Sequence, residues 1–159
     1  MFKVGIGFDA HRLDKGRPLI IGGVKIPYDL GLSGHSDADV LIHAIIDGIL
    51  GALAMGDIGI HFPDDDPAYK DIDSTILLRK VMELVKKEGY GINNIDNTIV
   101  AEMPKLTPHI PSMKERLCKV LGILPGQINI KATTTEGMGF CGRGEGISAI
   151  SIVSLKKQV

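Results

Sequence analysis

The opening stretch Gly5-Ile6-Gly7-Phe8-Asp9-Ala10-His11-Arg12 constrains the fold more than any other part of the chain. Phe2, Val4, Ile6 and Phe8 recur at every second position, the pattern of one face of a half-buried strand. Strand side chains point to opposite faces in turn, so Asp9 and His11 share the face otherwise held by Gly5 and Gly7. A carboxylate and an imidazole projecting together supply two ligands of a catalytic metal site, which typically has three protein ligands and one open position. A helix further on offers a third ligand, His43. Taken alone, Asp-x-His more commonly marks a surface ion pair.

The remaining composition narrows the function classes. The 159 residues make one domain, 1–159, with 44% hydrophobic and 23% charged residues, which is globular and long enough for a core. A net charge of -1 argues against a nucleic-acid surface or a basic membrane patch. Aromatic residues at 4%, without Trp, argue against a base-stacking platform. Cys118 and Cys141 lack CxxC spacing and read as reduced thiols. With no charged-then-apolar leader and no apolar run of membrane-spanning length, a cytoplasmic protein is expected.

In order, the chain reads as one α/β unit without repeats. Pro18–Ile21 and Val24–Pro27 flank Gly22-Gly23, a hairpin signal. Helices are expected over Ala38–Leu53, with Ser36 or Asp37 as N-cap, over Thr75–Glu88, and over Pro108–Leu121. Further strands are expected at Ile95–Ala101, Ile128–Thr133 and Ile147–Leu155, with loops at Asp29–Asp37 and Gly56–Asp71. These elements imply an α+β two-layer sandwich: a mixed four-stranded sheet plus a small N-terminal hairpin, with helices on one face. The last strand is apolar on both faces, with Ile147, Ala149 and Val153 on one and Ile150 and Ile152 on the other. Such a strand is buried on both faces, so a partner subunit, or else the hairpin or a loop, must cover the second.

Two more segments carry chemistry. On the first helix Asp39, His43 and Asp47 recur every four residues among Ile42, Ile45, Ile46 and Ile49. This narrow polar stripe suits a lined site, with Asp47 placed to orient His43, although an exposed stripe is the usual meaning of such a pattern. His35 and Ser36 precede that helix, where backbone N–H groups and the dipole favour an anion such as phosphate. Later, Thr133-Thr134-Thr135-Glu136 leave a strand for a loop with glycine at five of the ten positions from Gly137 to Gly146. Hydroxyls with a carboxylate suit a hard cation on phosphate oxygens. Lys105, in the proline-flanked loop before the third helix, could meet a phosphate or simply be solvated.

Together, Gly7-Phe8-Asp9-Ala10-His11, Ser33 to Asp39 with His43, Asp57-Ile58-Gly59 leading to Phe62-Pro63-Asp64-Asp65-Asp66-Pro67, Pro104-Lys105, and Lys131 to Glu136 with Gly142-Arg143-Gly144-Glu145-Gly146 resemble the 2-C-methyl-D-erythritol 2,4-cyclodiphosphate synthases over the whole chain. The resemblance implies conversion of 4-diphosphocytidyl-2-C-methyl-D-erythritol 2-phosphate to the cyclic diphosphate with release of CMP, in non-mevalonate isoprenoid biosynthesis. It implies a homotrimer with sheets packed together and active sites between subunits. Asp9, His11 and His43 become zinc ligands and Glu136 the ligand of a second divalent ion, Mg²⁺ or Mn²⁺. His35 and Thr134 join them as catalytic residues. His35, Ser36, Asp57, Gly59, Phe62, Asp64 and Asp66 fall to the methylerythritol and phosphate groups. Ala101, Lys105, Leu106, Thr133 and Thr134 fall to the cytidine diphosphate pocket of a neighbouring subunit. Phe8, Phe140 and Arg143, with Ile150 where some members carry Glu, are implied to line a central cavity, the place of an isoprenoid diphosphate in some relatives. Asp65 stands where the family loop usually has Thr. Two other readings of the residues are a zinc-dependent phosphodiesterase and a non-catalytic trimeric metabolite-binding module.

Overall fold

The N-terminal alternation extends further than its apolar part. In the computed structural model, which describes residues 1–158, the first strand runs on through Asp9 and His11 to Lys15. In chain order the elements are β1 (Phe2–Lys15), β2 (Leu19–Ile21), β3 (Val24–Ile26), β4 (Leu30–Leu32), α1 (Val40–Leu53), α2 (Ile58–His61), α3 (Ser74–Lys87), β5 (Tyr90–Val100), α4 (Ile110–Leu121), β6 (Ile128–Thr133), α5 (Gly139–Gly142) and β7 (Gly146–Lys157). A five-stranded mixed sheet has the order β4-β1-β7-β5-β6, and β2-β3 form a separate hairpin around Gly22-Gly23. Strand β7 is antiparallel to β1, from Phe2↔Lys156 to Arg12↔Gly146, and to β5; only β5 and β6 run parallel.

The sheet therefore has five strands where four were expected. Leu30-Gly31-Leu32 is too short to show a period, yet it pairs with the far end of β1 at Leu13–Lys15. The second loop is also more structured than expected, because Asp57 and Asp66 each cap a short helical turn within it. Among the described residues no helix is long and apolar enough to cross a membrane.

Helices α1, α3 and α4 lie on one face of the sheet, over a core that includes Ile45, Ile46, Ile49, Val81, Leu117, Ile95, Ile99, Ile147 and Val153. Among the described residues, nothing covers the opposite face. Phe2, Val4, Ile6 and Phe8 are 57–68% exposed, and Ile150 and Ile152 are 37% and 48% exposed. The alternation in β1 is thus real but inverted in meaning. Its apolar side faces outward, while Gly5, Gly7, Asp9 and His11 face the helices. The hairpin does not cover the outer face, since Leu19, Ile21 and Ile26 are buried in the core under the helices. A contiguous apolar patch on a sheet marks an interaction surface.

Asp39, not Ser36 or Asp37, caps α1. Its carboxylate accepts the Ile42 N–H at 3.0 Å and also the hairpin N–H groups of Gly22 at 2.9 Å and Gly23 at 2.7 Å. One fully buried side chain thereby ties helix to hairpin. Burial, reinforced by the charge of Asp37, raises its pKa to about 6 against the pull of the three N–H groups. Asp39→Ala leaves these donors without an acceptor and should cost at least about 3 kcal/mol in denaturant unfolding at pH 7. The folded-state pKa lies above the unfolded value of 3.8. The stabilising effect of protonation is therefore fully present below pH 3.8 and is lost as pH rises through about 6. The stability gap to Asp39→Ala should accordingly be wider by about 1 kcal/mol at pH 5 than at pH 7.5.

Candidate active site

The site begins with a main-chain contact. A methyl group at Gly5 would strike the Gly48 carbonyl oxygen, and one at Gly7 the Ala44 carbonyl oxygen. Only bare backbone lets β1 lie this close to α1. Further along the same inward face of β1, Asp9 and His11 consequently meet His43, which stands one turn into the helix.

There, Asp9 Oδ2 lies 2.7 Å from His11 Nε2 and 3.1 Å from His43 Nδ1, while the two ring nitrogens are 3.2 Å apart. A tetrahedral ion with bonds of roughly 2.0 Å needs ligand atoms about 3.3 Å apart, so these three donors fit one divalent metal with little movement. The donor set is two imidazoles and a carboxylate, and all three residues line an open cavity from which a further ligand could reach an ion held there. Burial pushes the Asp9 carboxyl up, but hydrogen bonds from His11 and His43 outweigh it and bring the pKa to about 2. Asp9 is therefore an anion at neutral pH. For His43, burial favours the neutral ring, yet the hydrogen bond and charge of Asp9, with Asp39 and Asp37 behind, raise its pKa overall. Protons compete for this ligand above the ordinary histidine range.

Each histidine is held from behind. His11 Nδ1 donates to the Ser33 carbonyl at 3.0 Å, which turns Nε2 toward Asp9. His43 Nε2 contacts Ser74 Oγ at 2.9 Å and Ser36 Oγ at 3.2 Å. Asp47 does not play the orienting role expected of it. Its carboxylate accepts the Ile58 N–H at 2.7 Å and anchors the start of α2. Nor does Asp39 line the site, because as a cap it precedes the helix and turns to the hairpin instead of following the four-residue period. Ser74, Asp37 and the Ser33 carbonyl are the supports that spacing did not reveal. The one available signal was Ser74, placed at a helix start.

A cavity of about 280 Å³ opens beside the triad, and His35, Ser36, Gly59, Phe62 and Asp64 help to line it. Tyr69 and Leu77 also line it and were not anticipated. His35 Nε2 donates to the Asp66 carbonyl at 2.9 Å. Asp57 and Asp66 lie in the same loop, but their carboxylates are used as caps for Ile60 and Ala68 and do not line the cavity. Ala101, Lys105, Leu106, Thr133 and Thr134 share a second, separate hollow of about 160 Å³. Glu136 belongs to neither hollow; it sits exposed on the turn after β6. That turn is ordered by Glu102, also missed in the sequence, whose carboxylate accepts the Thr135 N–H at 2.9 Å. Phe140 lines a third hollow with Arg12 and Glu145, and Arg143 pairs with Glu145 at 2.9 Å. A single chain thus brings together the metal triad and the loop around Asp64, but not the threonine strand or the Lys105 loop.

The chain was compared with known proteins. The YgbB family model matches residues 2–156. The 2-C-methyl-D-erythritol 2,4-cyclodiphosphate synthase of Geobacillus sp. (strain WCH70) is 58% identical over 158 residues, covering 99% of this chain and 100% of that protein. The synthase of Geobacter sulfurreducens is 58% identical over 156 residues, covering 98% and 99%. Among solved structures, the CDP complex of IspF from Plasmodium falciparum superposes with a TM-score of 0.87 at 33% identity, covering 99% of this chain and 97% of that one. The bifunctional IspDF of Campylobacter jejuni gives 0.95 at 41% identity, with 99% of this chain matching 42% of the longer protein. Fold, length and sequence agree from end to end, and the chain belongs to the YgbB family of 2-C-methyl-D-erythritol 2,4-cyclodiphosphate synthases.

Proposed function

We propose that this chain converts 4-diphosphocytidyl-2-C-methyl-D-erythritol 2-phosphate to 2-C-methyl-D-erythritol 2,4-cyclodiphosphate and CMP, a step of non-mevalonate isoprenoid precursor synthesis. The observation that carries the reading is the Asp9–His11–His43 cluster at the mouth of a cavity, in a chain that matches these synthases over its full length. The 2-phosphate oxygen attacks the β-phosphorus within one molecule, and the bond to the CMP oxygen breaks. A phosphate monoester has a second pKa near ~6, so its oxygen is already anionic at neutral pH and needs no general base. The protein's work is to hold two anionic groups in line and to shield their charge.

Asp9, His11 and His43 would hold zinc, and Glu136 a second ion, Mg²⁺ or Mn²⁺. Metals in such positions supply Lewis-acid charge neutralisation at phosphoryl oxygens. His35 and Ser36 would meet the phosphate at the entrance to α1, with Gly59, Phe62 and Asp64 around the methylerythritol and Asp57 and Asp66 shaping their loop. Ala101, Lys105, Leu106, Thr133 and Thr134 would take the cytidine diphosphate, Thr134 and Lys105 countering its charge. Because this hollow is separate from the triad, the two halves would meet across an interface. The uncovered sheet face, with its six large apolar side chains, supports a homotrimer that packs three such faces together.

Incubation with the cytidyl substrate, followed by ³¹P NMR, tests the reading. Cyclic diphosphate and CMP are expected in equal amounts. Water attack at the same phosphorus would give 2-C-methyl-D-erythritol 2,4-bisphosphate, two separate monoesters, with CMP instead, and that product would make the protein a phosphodiesterase.

A further inference from the structure

The parallel pairing of β5 with β6 continues one bond past the end of β5, where the Ala101 N–H donates to the Thr133 carbonyl at 2.9 Å. There the two chain segments part. One enters the Lys105 loop, and the other makes a tight turn, closed by the Met138 N–H on the Thr135 carbonyl at 3.0 Å. The half-buried side chain of Glu102 bridges the two. Its Oε1 accepts the Thr135 N–H at 2.9 Å and, more loosely, the Gly137 N–H at 3.4 Å.

These donors stand on either side of Glu136, and Glu136 is strained. Both central residues of the turn have positive φ, 55° at Glu136 and 77° at Gly137, the sign pattern of a type I′ turn. Glycine adopts such a backbone freely, and the first of these positions normally falls to Asn, Asp or Gly. A glutamate there is costly. Its own N–H meets the Thr134 hydroxyl oxygen at a long 3.3 Å. Among the described residues nothing pairs with its exposed carboxylate. Strained residues persist where their surroundings over-determine them, and they cluster at functional sites. Here a single carboxylate oxygen gathers the N–H groups on both sides of the strained residue and keeps the turn in its left-handed form.

We propose that Glu102 is a positioning residue for Glu136. By holding the turn it sets where the Glu136 carboxylate points. Because it springs from the opposite segment and also lines the hollow of Lys105 and Thr134, it fixes that carboxylate relative to the hollow. The inference rests on the reading of Glu136 as ligand of a second divalent ion, and its test separates the two.

Two variants divide reach from charge. Glu102→Gln keeps an acceptor oxygen at the same length without the charge, whereas Glu102→Asp keeps the charge but falls one methylene short of the turn. Glu102→Gln should therefore behave as the parent, and Glu102→Asp as Glu102→Ala. In the latter pair, amide hydrogen exchange at Thr135, followed by NMR, should quicken while zinc content stays unchanged. In the cyclisation assay their half-saturating Mn²⁺ concentration should rise by about 10-fold, the scale of losing a support behind a metal ligand. Turnover at saturating Mn²⁺ should return to most of the parental rate. Glu102→Asp carries the test should Glu102→Ala fail to fold. Parental exchange in Glu102→Asp, faster exchange without a change in Mn²⁺ dependence, or a loss shared by Glu102→Gln would overturn the positioning role. Parental Mn²⁺ dependence in Glu136→Gln would instead overturn the ligand reading of Glu136, and this inference with it.

Discussion

Replacing His11 with alanine should remove zinc from the purified protein and lower turnover by on the order of 10³-fold or more, the scale of losing a Lewis acid worth several kcal/mol at the reacting phosphate. Two remaining donors cannot close a tetrahedral site. The Asp9 carboxylate, now facing only His43, would lose half of the hydrogen bonding that keeps it charged. The fold should survive, because β1 is held to β7 by backbone pairing from Phe2 to Arg12, and outside the triad the His11 side chain makes one hydrogen bond, to the Ser33 carbonyl. Elemental analysis against circular dichroism is the measurement. A folded His11→Ala protein with one full equivalent of zinc would sink the assignment of the triad.

Ile6→Asp should have an effect of similar size by a different route. In an isolated chain this side chain is 68% exposed, and a carboxylate there would change stability by no more than about 0.5 kcal/mol. In a trimer packed through the sheets, the same substitution buries a charge in every subunit, around an axis where the copies repel. Each buried, unpaired charge costs several kcal/mol. Light scattering should therefore show the assembly collapse to a folded species of 17.1 kDa. That species should still bind zinc, since the triad lies within one chain, but should lose the cyclisation that the proposed shared site assigns in part to the neighbouring Lys105 and Thr134 hollow. Activity that persists in a monomeric Ile6→Asp protein would refute the shared site.

The metal triad was legible because it depends on two local rules, alternation along a strand and position on a helix. Both hold for Asp9, His11 and His43 wherever the two elements happen to meet. The support behind the triad was not. Asp39, His43 and Asp47 look equivalent on a helical period, but a cap residue lies outside the helix and obeys different geometry. Asp47 was drawn off by a backbone N–H at Ile58 that only the folded loop puts in reach. Ser74 is 31 positions from His43, and spacing says nothing about such pairs. Which face of β1 turns outward was not legible for a related reason. Apolar residues usually mark the inner side, and here the inner side is glycine because the helix comes too close for anything larger.

That close approach makes the strand–helix seam a gauge for the metal centre. With no side chain between β1 and α1, the distance between the two ligand-bearing backbones is set by main-chain van der Waals radii and cannot be shimmed from within. Any residue larger than glycine at position 5 or 7 would lift the helix and carry His43 away from Asp9 and His11 together. Adjusting which ion the centre accepts is then a matter of exchanging donor atoms on a frame of invariant width. Redesign of the site would do best to vary positions 9, 11 and 43 and leave the seam untouched.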